Sequence, residues 1–385
     1  FGSSRSIGSL VHVQFRGMLS HRVALVAAAL LVATCTLFWY AQLSGQTICD
    51  SLRSTPGVGG AHLASPDSVA ELRAPRDLGD NLWQQFVKAW SSGPGGKVAL
   101  ASIIADYHVD IPRFTYSFPV NDADQKTVMQ QGVLEPFVSY HFAKDIRSCC
   151  ASGGHILDVG GNFGWFALLS AASGCRTDTF EPVPWFYTMI EYTQNLNIPK
   201  IRDNIHIHKG KIVGSVAGQH RQLVVPKRGI LGTACVDCDR KGARRCGEGF
   251  TCLDVSTTTV DEFHTDFQKM GLKSCGMKVD VEGFEPEVFK GGSAFLREQR
   301  PNVIVIELSP GMTKFWDPSG KANVDMVETI VGAGYRPHFL NWGVVKTNKT
   351  TTATSSMDPY LFKGSAESLV KRCGYNCMVY FSRSS

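Results

Sequence analysis

The stretch from His155 to Phe180 constrains the fold of this chain more than any other part of the sequence. Ile156–Val159 is a short apolar run of the kind that forms a buried parallel strand. Three glycines, at 160, 161 and 164, predict a tight turn after it, and the small and apolar residues 165–172 predict a helix. A strand, a glycine turn and a helix in this order favour an α/β fold built on a parallel sheet.

The same turn predicts a ligand site. Glycines let the backbone approach a ligand closely, and the first amides of the following helix point towards the same place. A second predicted strand, Arg176–Phe180, is followed by Glu181. About 20 residues after such a turn, a carboxylate can accept hydrogen bonds from both hydroxyls of a ribose. The pattern therefore favours a nucleoside-containing ligand, and a glycine turn kept only for close packing is the alternative.

The residues of the turn also narrow the class of ligand. A dinucleotide site needs Gly-x-Gly-x-x-Gly and a P-loop ends in Gly-Lys-Ser or Gly-Lys-Thr, and this turn has neither pattern. Instead, Asp158-Val-Gly160-Gly-Asn162-Phe-Gly164 resembles the Asp-x-Gly-x-x-x-Gly motif of S-adenosylmethionine-dependent methyltransferases. Together with Glu181-Pro182 and Asn195, several later motifs in a fixed order resemble the FkbM methyltransferase family: Thr259–Phe263, Met277–Glu285, Val288–Gly292 and Pro301–Glu307.

This resemblance implies the fold, the reaction and the cofactor. Members of the family have a Rossmann-like sheet of seven strands with helices on both faces, and most of them methylate hydroxyl oxygens. The cofactor implied is S-adenosylmethionine. The residues that the resemblance assigns to cofactor binding are Asp158, Gly160, Gly161, Asn162, Phe163, Gly164, Glu181 and Pro182.

Three carboxylates are candidates for catalysis. Methyl transfer to a hydroxyl needs an aligned nucleophile and a group that removes its proton. Asp280 and Glu282 follow one predicted strand and Glu307 ends the next, so all three belong to the sheet edge where ligands bind. A further resemblance, to metal-dependent catechol-type methyltransferases, implies that Asp280 and Glu307 bind Mg²⁺. The alternatives are a metal-free general base, or carboxylates that only cap helices or pair with Lys278.

An apolar segment near the start of the chain predicts a membrane anchor at residues 23–43. Val23–Tyr40 is uncharged and would form a helix about 27 Å long, close to the apolar thickness of an endoplasmic-reticulum bilayer. Arginines within residues 1–22 place that end in the cytoplasm and the rest in the lumen of the endoplasmic reticulum or Golgi. A cleaved signal peptide, which would make the protein secreted, is the alternative. Residues 44–76, rich in glycine, serine and proline, predict a flexible stem.

The twelve cysteines support the same compartment. Such a density in a chain with an N-terminal apolar segment favours disulfides formed in an oxidising environment. Residues 221–252 are an insertion relative to the family pattern and contain Cys235, Cys238, Cys246 and Cys252. Two disulfides are favoured there over a tetrahedral zinc site, because the second pair lacks the usual spacing. Cys373 and Cys377 are close enough in sequence to bridge a turn.

The remaining regions complete the predicted organisation. Residues 77–150 predict an extension with two helical patterns, Leu82–Trp90 and Val98–Ile104, before a methyltransferase domain at 151–385. Asn348-Lys-Thr350 is an N-glycosylation sequon. The formal net charge of +5 is too small, and too evenly spread, to indicate a nucleic-acid partner.

These features together predict a luminal O-methyltransferase attached to the membrane by a single N-terminal helix. The compartment suggests a sugar hydroxyl of a secretory-pathway glycan as the acceptor. A small molecule or a protein is an alternative acceptor. A second alternative is a non-catalytic binding module, which four carboxylates at predicted strand ends disfavour. A nucleotide-sugar glycosyltransferase is disfavoured because neither Asp-x-Asp sequence follows a predicted strand.

Overall fold

The computed structural model describes residues 80–95, 100–105, 111–238, 246–247, 249–340 and 359–383. The predicted anchor, stem and glycosylation sequon lie outside these residues. Within the described ranges, no helix has both the length and the apolar character needed to cross a membrane.

The helices and strands alternate along most of the chain. The helices are α1 (Asp80–Ser92), α2 (Ala123–Gln131), α3 (Pro136–Ala151), α4 (Trp165–Ala172), α5 (Pro184–Leu196), α6 (Pro199–Arg202), α7 (Val260–Lys269), α8 (Glu285–Lys290), α9 (Ser293–Glu298), α10 (Pro310–Thr313), α11 (Lys321–Gly332) and α12 (Ala366–Cys373). The strands are β1 (Leu100–Ala105), β2 (Phe114–Pro119), β3 (His155–Val159), β4 (Arg176–Glu181), β5 (Ile205–Lys209), β6 (Lys211–Val213), β7 (His220–Pro226), β8 (Cys235–Val236), β9 (Phe250–Thr258), β10 (Ser274–Val279), β11 (Val303–Leu308), β12 (Tyr335–Phe339), β13 (Tyr360–Leu361) and β14 (Cys377–Arg383).

The largest sheet is mixed, with the strand order β13-β12-β14-β11-β10-β3-β4-β5. The five strands from β11 to β5 are parallel to one another, and β14 enters antiparallel between β11 and β12. The sequence predicted seven strands, and the two-residue β13 extends this sheet to eight. Strands β12 and β14 pair antiparallel with each other.

Helices cover both faces of this sheet, as predicted. Successive side chains of a strand point to opposite faces. In β11, Val303 and Val305 accordingly pack with one apolar cluster, whereas Ile304 and Ile306 pack with another. The first cluster includes residues of α3, α4 and α5, and the second includes residues of α7, α9 and α11.

Two smaller sheets lie outside the main one. Strand β1 pairs antiparallel with β2, so the helix predicted at Val98–Ile104 was wrong. A short apolar run has no periodicity that separates a strand from a helix, and here the pairing of Ile103 with Tyr116 decides the structure. The order of the third sheet is β6-β9-β7-β8, and its last three strands each include part of the predicted insertion.

Five disulfides join described cysteines. In the insertion, Cys235 pairs with Cys238 and Cys246 with Cys252, in agreement with the prediction of disulfides rather than zinc. The predicted bridge between Cys373 and Cys377 is present. The other two bonds, Cys149–Cys275 and Cys150–Cys175, start from adjacent residues at the end of α3 and reach β10 and the start of β4.

Candidate active site

The glycine turn after β3 is shaped by contact with the neighbouring strands. Gly160 has φ +88°, and a Cβ at this position would overlap the carbonyl oxygen of Asp280. A Cβ on Gly161 would likewise collide with the hydroxyl of Thr179. The turn therefore needs glycine for backbone approach within the protein, and it also brings Asn162 and Phe163 to the edge of an open pocket.

Glu181 ends β4 beside this turn and is buried, with 3% of its surface exposed. Its carboxylate accepts hydrogen bonds from the backbone amides of Asn162 at 2.7 Å and Val183 at 2.9 Å. Burial raises the pKa of Glu181 to about 8, although these two amides act to lower it. Each carboxylate oxygen can accept a second hydrogen bond, so the side chain can still receive two ligand hydroxyls.

The pocket gathers most of the predicted cofactor residues, but not all of them. Its wall includes Gly160, Gly161, Asn162, Phe163, Glu181 and Pro182. Asp158 and Gly164 are not part of the wall. Asp158 is buried between strands, where it accepts a hydrogen bond of 2.9 Å from the hydroxyl of Thr179, and burial raises its pKa to about 6. Gly164 precedes the first residue of α4 and has φ +92°.

The three predicted catalytic carboxylates meet in the same pocket. One oxygen of each of Asp280, Glu282 and Glu307 lies within 4.8 Å of the others. The ammonium of Lys278 donates to Oδ2 of Asp280 at 2.8 Å and lies 4.9 Å from the ring centre of Phe166. The structure thus pairs Lys278 with Asp280 rather than with Glu282 or Glu307.

Asp280 and Glu307 lie close enough to shift each other's pKa. Burial acts to raise the pKa of Asp280, but the Lys278 ammonium and a hydrogen bond with Glu307 outweigh it and hold that pKa below its usual value. Burial and the negative charge of Asp280 raise the pKa of Glu307 well above its usual range. Asn376 also donates to Oε1 of Glu307 at 2.8 Å. The pKa values of Asp280 and Glu307 are therefore shifted in opposite directions.

These three carboxylates fit a divalent metal ion. They provide oxygen ligands, which Mg²⁺ prefers, and they converge from two adjacent strand ends. Like charges this close cannot all ionise without a shared proton or a bound cation. A metal would therefore replace the proton that Glu307 otherwise keeps.

Glu135 is a further acidic residue of the pocket. It precedes α3 with φ +43°, and its side chain makes no capping bond to that helix. Its Oε2 is buried without a hydrogen-bond partner among the described residues. Burial raises the pKa of Glu135 to about 7, against the lowering effect of Lys278. The carboxyl is therefore positioned to accept a hydrogen bond from a ligand.

Asp124 and Lys278 also line the pocket and were not predicted to do so. Burial, followed by the charges of Asp122 and Asp280, raises the pKa of Asp124 to about 6. The sequence could have indicated that Lys278 reaches the pocket, because a lysine inside the apolar strand Met277–Val279 must find a buried partner. Nothing in the sequence indicated that Asp124 lines the pocket, because this residue reaches the pocket only through the packing of α2.

Comparison with protein families finds a match in this chain. The family model described as the methyltransferase FkbM domain matches residues 158–337. No curated protein matches the chain.

The similar solved structures include three that superpose on this chain with low TM-scores. The precorrin-6y C5,15-methyltransferase of Geobacter metallireducens is 12% identical, covers 62% of this chain and 87% of its own, and has a TM-score of 0.30. A TehB-like SAM-dependent methyltransferase of Corynebacterium glutamicum is 12% identical, with 65% and 100% coverage and a TM-score of 0.26. A Burkholderia thailandensis protein bound to S-adenosyl-homocysteine is 12% identical, with 65% and 77% coverage and a TM-score of 0.25. At these TM-scores, the likeness says nothing about the reaction of this chain.

The matched span runs from Asp158 in β3 to Pro337 in β12, and it contains the glycine turn, Glu181 and all three converging carboxylates. Residues 158–337 of this chain match the methyltransferase FkbM domain.

Proposed function

We propose that the protein is an S-adenosylmethionine-dependent O-methyltransferase that methylates a sugar hydroxyl of a secretory-pathway glycan. One observation supports this most strongly: Asp280, Glu282 and Glu307 lie in the same pocket as the glycine turn and Glu181. A methyl donor held at the turn would have proton-accepting groups beside it. A hydroxyl needs such groups because it is a weak nucleophile at neutral pH.

The cofactor half of this pocket suits a nucleoside. S-adenosylmethionine supplies an activated methyl group when it is bound. Glu181 is positioned to accept the ribose hydroxyls, because its carboxylate is already oriented by the amides of Asn162 and Val183. The rings of Phe163 and Phe186, with centres 4.7 Å apart, form an apolar wall close to Glu181 that suits a purine.

The carboxylate cluster accounts for proton removal. Lys278 keeps Asp280 ionised, so Asp280 can accept a hydrogen bond from the acceptor hydroxyl and take its proton as the methyl group is transferred. Glu282 follows Asp280 closely, with φ +55°, and adds a second acceptor at the same place. If Asp280 and Glu307 bind Mg²⁺, the ion would lower the pKa of the hydroxyl as well.

The proposed compartment and acceptor rest on the cysteines and on the predicted anchor. Five disulfides among the described residues suit the lumen of the endoplasmic reticulum or Golgi, or the extracellular space if the N-terminal segment is cleaved. A single-pass type II arrangement would place the pocket where glycans are built. Hydroxyl-rich acceptors also suit a pocket lined by several carboxylates, which accept hydrogen bonds.

Calorimetric titration of the full-length, oxidised chain with S-adenosylmethionine and S-adenosylhomocysteine tests the cofactor, with Glu181→Ala as the control. We expect binding that the variant loses. Transfer of labelled methyl groups to a panel of glycans, with and without Mg²⁺, then tests the reaction. A folded, oxidised protein that binds neither compound would contradict the proposal and leave a non-catalytic binding module.

A further inference from the structure

The pocket has two walls of different origin. The first consists of the carboxyl ends of β3, β4, β10 and β11 with their turns, all within the span that matches the family. The second comes from the extension before residue 158 and from the insertion between β7 and β9. Its members include Tyr116, Asp124, Gln125, Glu135, Ile230 and Gly232. Residues outside these strands and their turns thus face the strand ends across the pocket.

Asp122 joins the two components of the second wall. It is buried, and its Oδ1 accepts from the amides of Asp124 at 2.9 Å and Gln125 at 3.1 Å, which caps α2. Its Oδ2 accepts from the amide of Leu231 at 2.8 Å, across 109 residues of sequence. A backbone hydrogen bond from Ala123 to the carbonyl of Gly229 lies beside it. One carboxylate therefore holds the start of α2 against the insertion loop.

The insertion loop reaches the cofactor turn directly. A Cβ on Gly232 would lie 2.6 Å from Nδ2 of Asn162, so the loop backbone rests on the Asn162 side chain. The Oδ1 atom of the same side chain is buried and has no partner within the described part of the chain. One connected path consequently runs from the extension to the glycine turn, through Asp122, Leu231, Gly232 and Asn162.

The charge of the pocket selects the kind of molecule that this wall can accept. Six acidic residues line the pocket, against two lysines: Asp124, Glu135, Glu181, Asp280, Glu282 and Glu307, with Lys211 and Lys278. Burial raises the pKa of several of these acids, so they are not all ionised near neutral pH, but they outnumber the two cations. Free oxygens such as Oε2 of Glu135 accept hydrogen bonds from hydroxyls and repel anions. A neutral, hydroxyl-rich molecule fits this balance, whereas a uronic acid or a phosphorylated sugar does not.

We propose that the second wall is the acceptor subsite for a neutral sugar, and that Asp122 is the positioning residue that holds this wall together. The inference rests on the proposed function. In-line transfer needs the acceptor to face the cofactor, and the second wall is the surface that does so. Asp124, Gln125 and Glu135 present the polar groups, and Asp122 fixes their distance from the turn without touching the sugar.

The test separates the two roles of Asp122, which are to cap α2 and to hold the amide of Leu231. In Asp122→Ser, serine still caps α2, since serine and aspartate are both favoured at this position, but it is too short to reach Leu231 as well. We expect the KM for a neutral oligosaccharide to rise at least tenfold while the dissociation constant for S-adenosylhomocysteine changes less than twofold. Ser365→Ala, which removes the cap of α12, is the matched control and should leave both values unchanged.

A second arm compares a neutral oligosaccharide with its uronic-acid counterpart on the wild-type enzyme. We expect kcat/KM to be at least tenfold higher for the neutral one, and equal values would overturn the assignment of charge selectivity. An active wild type whose KM survives Asp122→Ser would overturn the role of Asp122 alone. A wild type that binds S-adenosylhomocysteine but methylates no sugar would overturn the proposed function and this subsite with it.

Discussion

The ammonium of Lys278 lies 2.8 Å from Oδ2 of Asp280, two residues further along the chain. Alternate residues of a strand point to the same face, so the two side chains meet where β10 ends. The Lys278 side chain is 2% exposed and that of Asp280 is 26% exposed. Because Asp280 and Glu135 outweigh the effect of burial, the pKa of Lys278 lies above its usual value. A single buried cation thus determines which carboxyl in the cluster is ionised.

Replacing Lys278 with methionine should destabilise the protein and slow catalysis. The change leaves Asp280 without its countercharge, and removing one partner of a largely buried ion pair costs about 3 kcal/mol. Urea denaturation would measure the loss in the free energy of unfolding. Lys290→Met is the control, because Lys290 is 72% exposed next to Glu287 and its ion pair is worth well under about 1 kcal/mol. Equal effects of the two changes would contradict the role given to Lys278.

Glu307→Gln should lower kcat by about 100-fold and leave the affinity for S-adenosylhomocysteine unchanged, because Glu307 lies in the carboxylate cluster and not beside Glu181. Single-turnover kinetics and calorimetry would separate the two quantities. If Asp280 and Glu307 bind Mg²⁺, a chelator should also slow the wild type, and added Mg²⁺ should restore it. A variant with normal kcat would exclude Glu307 from the reaction.

The affinity for S-adenosylhomocysteine should depend on pH through Glu181. Its pKa of about 8 means that the carboxylate, which we propose to accept the ribose hydroxyls, becomes fully populated only as the pH rises. We expect the affinity to increase from pH 6 through about 8 and then to level off, measured by calorimetry. Glu181→Gln, which is always neutral, should bind weakly and without this dependence. Affinity that falls over the same range would assign the titration to another group.

The effect of pH on folding stability through Glu181 should be opposite to its effect on affinity: stability should fall as the pH rises. Its pKa is raised from 4.5 in the unfolded chain, so the folded state holds the proton more tightly. The stabilisation that comes from the protonated Glu181 is therefore fully present below about pH 4.5, and it is lost as the pH rises towards 8. Comparing the urea stability of the wild type and Glu181→Gln at pH 6 and pH 9 would isolate this contribution, and the variant should gain relative stability at pH 9.

Gly160→Ala should destabilise the protein by about 3–5 kcal/mol, because the new methyl group meets the Asp280 carbonyl and the residue must keep a positive φ. Gly218→Ala is the matched control. Gly218 has φ +74° but no atom within 4 Å of its added Cβ, so only the backbone cost of about 1–2 kcal/mol remains. Thermal unfolding would compare them. Similar losses would show that the turn tolerates a side chain at 160.

Local patterns were sufficient to predict many of the elements that line the pocket. The strand, turn and helix around Gly160, the carboxylate of Glu181 and the convergence of Asp280 with Glu307 all follow from runs of fewer than about ten residues and from the rule that parallel strands end at one edge. That edge is the reason why the site could be predicted without coordinates.

Contacts between distant segments could not be predicted in this way. Nothing near Asp122 indicates that it accepts from Leu231, and nothing near Asp178 indicates that it accepts from His155, His208 and Arg176. Burial acts to raise the pKa of Asp178, and these three partners together hold it far below its usual range. Such partners depend on strand order and helix packing, which a linear pattern does not specify.

The paired disulfides at the end of α3 have a mechanical consequence. Cys275 is the second residue of β10 and Cys175 directly precedes β4, so both bonds hold the edge at which the parallel strands begin. The pocket opens at the other edge, where hydrogen bonds such as that of Asp122 hold the walls. The two disulfides thus brace the sheet at the edge opposite the pocket. By tying both β4 and β10 to α3, these bonds fix the spacing of the strands whose other ends carry Glu181 and Asp280.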